Sequence, residues 1–193
     1  MTAHFKDRAE AGELLAEKLK DLNLGKPYVF ALPRGGVPIA EPIARVLGVP
    51  INLLLAKKIP APGHPELGVG AIVEDGDPIW QESKIAYLGI PKPELNRLVV
   101  KVRQSLNRQR KLWKVDSQVT DLNGQTVILV DDGLATGSTL IAAIDFLKKR
   151  HPKQIIVALP VGSQLAIQKI ASAVDHVVVL SQPEDFHAVS QVY

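Results

Sequence analysis

The stretch VILVDDGLATGSTL, residues 127–140, joins four apolar residues to two adjacent carboxylates, Asp131 and Asp132. The apolar residues predict a buried strand, and open α/β sheets bind ligands at the carboxyl ends of their strands. Two neighbouring carboxylates repel each other, and neither has a cation beside it in the sequence. We therefore expect a ligand from outside the chain to satisfy the acid pair.

The loop that follows, Ala135 to Thr139, has the composition of a phosphate site. Backbone N–H groups at the start of a helix point toward an anion, and the hydroxyls of Thr136, Ser138 and Thr139 add donors. Ser and Thr are also favoured as ordinary helix caps, so the loop alone leaves a structural role open. A ribose 5-phosphate would satisfy both features, because its phosphate fits the loop and its 2- and 3-hydroxyls donate to the carboxylates.

The rest of the sequence predicts the elements that position this loop. Six short, nearly continuous apolar runs indicate strands buried on both faces of a parallel sheet: YVFAL (28–32), INLLLA (51–56), GAIV (70–73), TVILV (126–130), QIIVAL (154–159) and HVVVL (176–180). Helical patterns follow the first, fourth and fifth runs, and an N-terminal helix should bury Leu14, Leu15, Leu19 and Leu22. The predicted fold class is therefore α/β, with an open, mostly parallel sheet flanked by helices in a single domain.

Two further segments follow predicted strands and could contribute to the same site. ALPRGGVP (31–38) contains Gly35 and Gly36, which allow the backbone to approach a ligand closely. KKIPAPGHPELGVG (57–70) is rich in Pro and Gly, so we expect a long connecting loop that acts as a lid. Lys57, Lys58 and His64 lie on or beside it and could neutralise a phosphate group that leaves a ligand. A solvated strand end explains the lysines equally well, and a structural role in the Pro-rich loop explains His64 somewhat better.

The segment 127–139 resembles the 5-phosphoribosyl-1-pyrophosphate (PRPP) motif of the type I phosphoribosyltransferases, over its full thirteen-residue pattern. LPRGG resembles the pyrophosphate loop of that family. Together with APGHPELGVGAIVEDG and the ending FHAVSQVY, these segments resemble a bacterial group of stand-alone phosphoribosyltransferase-like proteins whose substrate is poorly defined. The resemblance covers most of the chain.

The resemblance implies a role for each motif. Asp131 and Asp132 would bind the ribose hydroxyls, and the 5-phosphate would lie on Ala135, Thr136, Gly137, Ser138 and Thr139. Arg34, Gly35 and Gly36 would hold the pyrophosphate, although a salt bridge or a subunit contact is an alternative role for Arg34. Magnesium would be held mainly by the oxygens of PRPP, as small hard cations on phosphates usually are.

The resemblance also implies the reaction, in which the 5-phosphoribosyl group passes to a nitrogenous base and pyrophosphate leaves. Family members that act on 6-oxopurines carry an acidic residue three places after the acid pair, where this chain has Ala135. Hypoxanthine–guanine salvage is therefore disfavoured. The acceptor would be read by a hood segment at about 181–193, where Phe186 could stack on a base or pack in the core.

Charge is concentrated in one segment. The net charge is +3, and residues 93–114 alone carry seven Lys or Arg and a single Glu. Pro91 and Pro93 should begin this helical insertion, at about 91–115, and its apolar stripe should be Leu95, Leu98, Val99, Val102, Leu106 and Leu112 or Trp113. A basic helix raises the alternative of a PRPP-binding regulator that binds RNA or DNA, but a solvated face is favoured, so nucleic acid is not the expected partner.

Composition bounds the remaining expectations. The sequence has no cysteine, no apolar run long enough to cross a bilayer and no signal peptide, which favours a cytoplasmic protein. The expected partners are PRPP and a nucleobase, and the resemblance implies a homodimer. A hydrolase or phosphorylase of a ribosyl phosphate is a third possible activity.

Overall fold

The computed structural model describes residues 4–74, 76–115, 121–134, 137–184, 186 and 188–193. In chain order, the described elements are α1 (Arg8–Lys20), β1 (Tyr28–Ala31), α2 (Gly36–Leu47), β2 (Ile51–Leu53), β3 (Ala56–Ala61), β4 (His64–Val73), β5 (Ile79–Trp80), α3 (Glu82–Leu88), α4 (Lys92–Trp113), β6 (Thr126–Val130), α5 (Ser138–Lys148), β7 (Gln154–Val161), α6 (Gln164–Ala171), β8 (His176–Ser181) and a 3-10 turn (Val189–Gln191).

The main sheet has five strands in the order β2-β1-β6-β7-β8, and every adjacent pair is parallel. Helices α1 and α2 cover one face of the sheet, and α5 and α6 cover the other. Strand β6 lies at its centre with β7 beside it, and both are buried almost throughout, which explains their continuous apolar sequences. The predicted α/β class, with an open, mostly parallel sheet flanked by helices, is confirmed.

The prediction for residues 56–73 was wrong in two respects. The run GAIV belongs to β4 of a separate antiparallel sheet with the order β3-β4-β5, and the supposed lid loop consists of strands β3 and β4. Gly63, with φ of 72°, forms the turn between them, a left-handed conformation that glycine adopts without a steric cost. The register shifts on either side of Pro60, so the outer end of this hairpin is irregular.

Helix α4 packs against the second sheet and confirms that this segment is an amphipathic helix. Val102 and Leu106 are buried against Ile59 and Ile72 of the sheet, with the other apolar residues of the stripe around them. Trp113 joins this cluster, whereas Leu112 is 79% exposed, so the stripe ends on the tryptophan. Pro91 precedes the first helical residue, as expected.

The N-terminal helix α1 packs closely on α2. A Cβ atom on Gly12 would lie 2.5 Å from the Ile39 carbonyl oxygen, so glycine is needed at this crossing. Leu15 and Leu19 are fully buried, but Leu14 and Leu22 are 48% and 42% exposed, contrary to the prediction, because Ala11, Gly12 and Ala16 supply the rest of the packed face. Within the described ranges, no helix is long and apolar enough to cross a membrane.

Candidate functional site

The two glycine- and acid-rich loops begin side by side at the carboxyl edge of the main sheet. Strands β1 and β6 are neighbours, and their last residues, Ala31 and Val130, stand in register. The amide of Leu32 continues the pairing by donating to the Val130 carbonyl at 2.9 Å. The predicted pyrophosphate loop and the predicted PRPP motif are therefore adjacent.

Glycines 35 and 36 allow the two loops to touch. A Cβ atom on Gly35 would overlap the carboxylate of Asp132, and one on Gly36 would lie 2.6 Å from the Val130 carbonyl oxygen. Gly35 has ordinary helical dihedrals, with φ −62° and ψ −38°, so it is required for space and not for backbone conformation. The two glycines of LPRGG thus pack directly against the segment that carries the acid pair.

The two carboxylates have different surroundings. Asp132 accepts two hydrogen bonds from Arg8, at 3.0 Å from Nε and 2.7 Å from Nη2. Asp131 accepts the backbone N–H of Asp132 at 2.9 Å. Burial, and then the neighbouring charge of Asp132, raise the pKa of Asp131 to about 8, so this carboxyl is largely protonated at neutral pH in the free protein.

The N-terminus of α5 lies beyond the acid pair. Gly137 precedes the helix with φ of 75°, and Ser138 and Thr139 are its first two residues, both half-buried. The first N–H groups of a helix have no partner within it, so this end can bind an anion. Ala135 and Thr136, also predicted to bind phosphate, lie outside the described residues.

The other predicted site residues lie on the second sheet or on the loops. Lys57 donates from Nζ to the Ser105 hydroxyl of α4 at 2.7 Å, and Lys58 donates to the Glu66 carbonyl at 2.8 Å. His64 begins β4 and is exposed, as is Arg34 in the loop after β1. The described contacts of both lysines are thus made away from the acid pair.

Phe186 lies in a small core cluster and is 7% exposed. Its neighbours there include Phe5 and Ala11 from the N-terminal segment and Val192 from the C-terminal one. The structure therefore gives this ring a packing role, and stacking on an acceptor stays a prediction.

Three residues that the sequence reasoning missed contact the predicted site. Arg8 binds Asp132, and Tyr193 donates its hydroxyl to the Asp132 carbonyl at 2.9 Å. Gln81, just before α3, donates to the Ser138 hydroxyl at 2.8 Å, which leaves the hydroxyl hydrogen free to face a ligand. Of these three, Arg8 alone could have been noticed in the sequence. A cation in the first turn of a helix is unfavourable with the helix dipole, which suggests that it has a specific anionic partner.

The fold is that of the type I phosphoribosyltransferases. The family model "Phosphoribosyl transferase domain" matches residues 3–193, and the chain belongs to that family.

Known relatives and structures agree with this assignment. The chain is 33% identical over 189 residues to "Putative phosphoribosyl transferase Rv0571c" of Mycobacterium tuberculosis, across 98% of this chain and 43% of that relative. It thus spans less than half of that relative's length. It is also 31% identical over 152 residues to a uracil phosphoribosyltransferase of Nicotiana tabacum, across 77% of this chain and 63% of that protein. The crystal structure of TT1426 from Thermus thermophilus superposes with a TM-score of 0.80 at 38% identity, across 98% of this chain and 90% of that one.

Proposed function

We propose that this protein is a magnesium-dependent phosphoribosyltransferase, which transfers the 5-phosphoribosyl group of PRPP to a nitrogenous base and releases pyrophosphate. The observation that carries the proposal is the contact between Gly35 and the Asp132 carboxylate. This contact joins a pyrophosphate-type loop to a diol-binding acid pair, and the N-terminus of α5 follows in the same chain segment. One ligand that carries a diol and phosphates at both ends would satisfy all three features.

The chemistry required of the protein is charge stabilisation and exclusion of water. The transition state resembles an oxocarbenium ion with departing pyrophosphate, so a strong general base is not needed. Asp131 and Asp132 would hold the ribose hydroxyls and the loop from Arg34 to Gly36 the pyrophosphate, while Ser138 and Thr139 would bind the 5-phosphate. In this proposal Lys57, Lys58 and His64 approach the leaving group when the hairpin closes.

Magnesium fits the residues present. Among the described residues, no group of three or more His, Asp or Glu side chains is placed to hold a metal ion. Magnesium commonly uses one or two carboxylates and completes its shell with phosphate oxygens and water. Asp131 and Asp132 would supply that contribution, directly or through the ribose hydroxyls, and the bound ion would offset the charge of the pyrophosphate.

The acceptor is a nucleobase in this proposal. Ala135 leaves no acidic side chain at the position used by 6-oxopurine enzymes, which favours other bases. Uracil is the first base to test, because the tobacco relative is a uracil phosphoribosyltransferase. The proposal keeps the expectations of a homodimer and of a cytoplasmic location.

A screen for pyrophosphate release tests the proposal. The protein is mixed with PRPP and magnesium, and pyrophosphate is measured with each of a panel of bases and without a base. Release that depends on one base supports the transferase. Release without any base indicates a hydrolase, and tight PRPP binding without release indicates a regulator. The last two results would each overturn the proposed transfer reaction.

A further inference from the structure

The ion pair between Arg8 and Asp132 links the N-terminal helix to the acid pair. Arg8 is the first residue of α1, where a positive side chain opposes the helix dipole. Asp132 offsets this cost with two charge-assisted hydrogen bonds. The side chains are 38% and 19% exposed, so the pair lies at the edge of the site and is only partly screened by solvent.

Tyr193 holds the guanidinium of Arg8 from another side. The Arg8 guanidinium carbon lies 4.6 Å from the centre of the Tyr193 ring, within the range of a cation–π contact. The ring is fixed in turn, because its hydroxyl donates to the Asp132 carbonyl and Phe5 packs beside it at 6.0 Å between ring centres. Burial, followed by the nearby charge of Asp132, raises the pKa of the Tyr193 hydroxyl, which therefore remains a donor.

The geometry gives the two oxygens of Asp132 different roles. Both Arg8 hydrogen bonds fall on Oδ2, while Gly35 packs against the carboxylate. A carboxylate offers about four lone-pair sites, so Oδ1 keeps the capacity to accept a hydroxyl without the loss of Arg8.

We propose that Arg8, seated on Tyr193, is a positioning residue for sugar recognition. It fixes the rotamer of Asp132 against Gly35 through two hydrogen bonds to Oδ2, so that Oδ1 accepts a hydroxyl of the ribose diol. This inference rests on the proposed function, since it assumes that Asp132 binds a ribosyl phosphate. It predicts that Arg8 contributes to binding only when the ligand carries the diol.

Calorimetric titration of the full chain with two probes tests the inference. Ribose 5-phosphate carries the diol and the phosphate, whereas inorganic phosphate carries only the anion. Arg8→Ala should weaken ribose 5-phosphate binding by about tenfold or more and leave phosphate binding within about twofold of wild type. Arg8→Lys should recover part of the loss, because an ammonium group can still donate to Oδ2 but lacks the planar fork. Arg45→Ala is the matched control, since Arg45 lies on α2 and its ion pairs with described residues, Glu13 and Glu41, are long and exposed.

A double-mutant cycle with Asp132→Asn completes the test. If Arg8 acts through Asp132, Arg8→Ala should cost little further affinity for ribose 5-phosphate once the carboxylate has been removed. Equal losses for both probes, or fully additive losses in the cycle, would overturn the inference. So would wild-type affinity for ribose 5-phosphate in a folded Arg8→Ala protein.

The wild-type protein separates this inference from the proposed function. If wild type binds no ribose 5-phosphate, the inference about Arg8 fails, and the screen for pyrophosphate release decides separately whether the proposed function fails as well. If wild type binds ribose 5-phosphate and Arg8→Ala binds it equally well, only the role of Arg8 fails. Circular dichroism of each variant checks folding, and Arg8→Lys still decides the question if Arg8→Ala is unfolded, because a folded Arg8→Lys protein with no loss for either probe also overturns it.

Discussion

The loops at the carboxyl edge of the main sheet and the hairpin of the second sheet carry the two parts of the predicted site. In the first region, strand pairing and close packing fix the two loops relative to each other, because Ala31 and Val130 pair in register and Gly35 packs against Asp132. The hairpin buries Ile59, Ala61 and Val69, whereas residues 63–67 at its outer end are exposed. We therefore expect the sheet edge to hold the proposed ligand in a fixed geometry and the outer end of the hairpin to be the part that moves.

The largest effect should follow from a single methyl group in the rigid region. Gly35→Ala forces either the loop or the Asp132 carboxylate to move, so PRPP binding should weaken by about thirtyfold or more, the loss of a charge-assisted hydrogen bond plus the strain. Gly63→Ala is the control in the hairpin turn: its positive φ disfavours alanine, but no atom lies within 4 Å of the added Cβ. If Gly35→Ala binds PRPP as tightly as Gly63→Ala does, the contact with Asp132 is irrelevant to the ligand.

Asp131 should make the protein less stable as pH rises. Its pKa is about 8 in the folded chain and about 3.9 when unfolded, so between these values only the unfolded state releases the proton. Stability is therefore lost from about pH 4 to pH 8. Asp131→Asn removes this loss and should be more stable than wild type at pH 8 by on the order of 1–3 kcal/mol, with a smaller gain at pH 5.

Urea denaturation at the two pH values measures this difference. Asp77→Asn is the control, because a hydrogen bond from Lys149 lowers the pKa of Asp77, the opposite direction. Its removal should give no stabilisation at pH 8. An Asp131→Asn gain that is the same at pH 5 and pH 8 would show that Asp131 is not held protonated in the folded chain.

A smaller effect is expected in the hairpin, where closure over the ligand stays a prediction. Amide exchange in residues 58–68 should slow when PRPP and magnesium are added, because a closed arm shields the site from water. Amides of α6, a helix of similar exposure to solvent, serve as the internal control. Equal exchange with and without ligand would contradict closure. Lys57 and Lys58 would then have the structural roles that their contacts with Ser105 and Glu66 indicate.

No effect is expected on the outer face of α4. Neutralising Arg108 and Lys111 should leave pyrophosphate release unchanged and nucleic-acid binding negligible, since this face is solvated and the opposite one packs on the second sheet. A gel-shift complex that is lost in the variant and weakens steeply with salt would instead favour the regulator.

The sequence predicted strand β6 and the start of α5 well but predicted the β3–β4 hairpin poorly, for a physical reason. Strand β6 and the loop after it form one continuous motif, so apolar run, acid pair and helix start could be read together. The run GAIV gives no sign of its partner strand, and Pro and Gly are as compatible with an irregular hairpin as with a loop. Arg8 and Tyr193 were missed because they reach Asp132 only through the tertiary fold.

The central claim is that the acid pair binds the ribose diol of PRPP. Calorimetric titration of PRPP with magnesium into wild type and into Asp131→Asn, Asp132→Asn and the double variant tests it most directly. Asp132→Asn removes a charge-assisted hydrogen bond, so the dissociation constant should rise by about tenfold or more. Asp131→Asn removes a carboxyl partner of the ribose that is protonated in the free protein, so its effect should be smaller, and the double variant should bind most weakly. Wild-type affinity in a folded double variant would contradict the account.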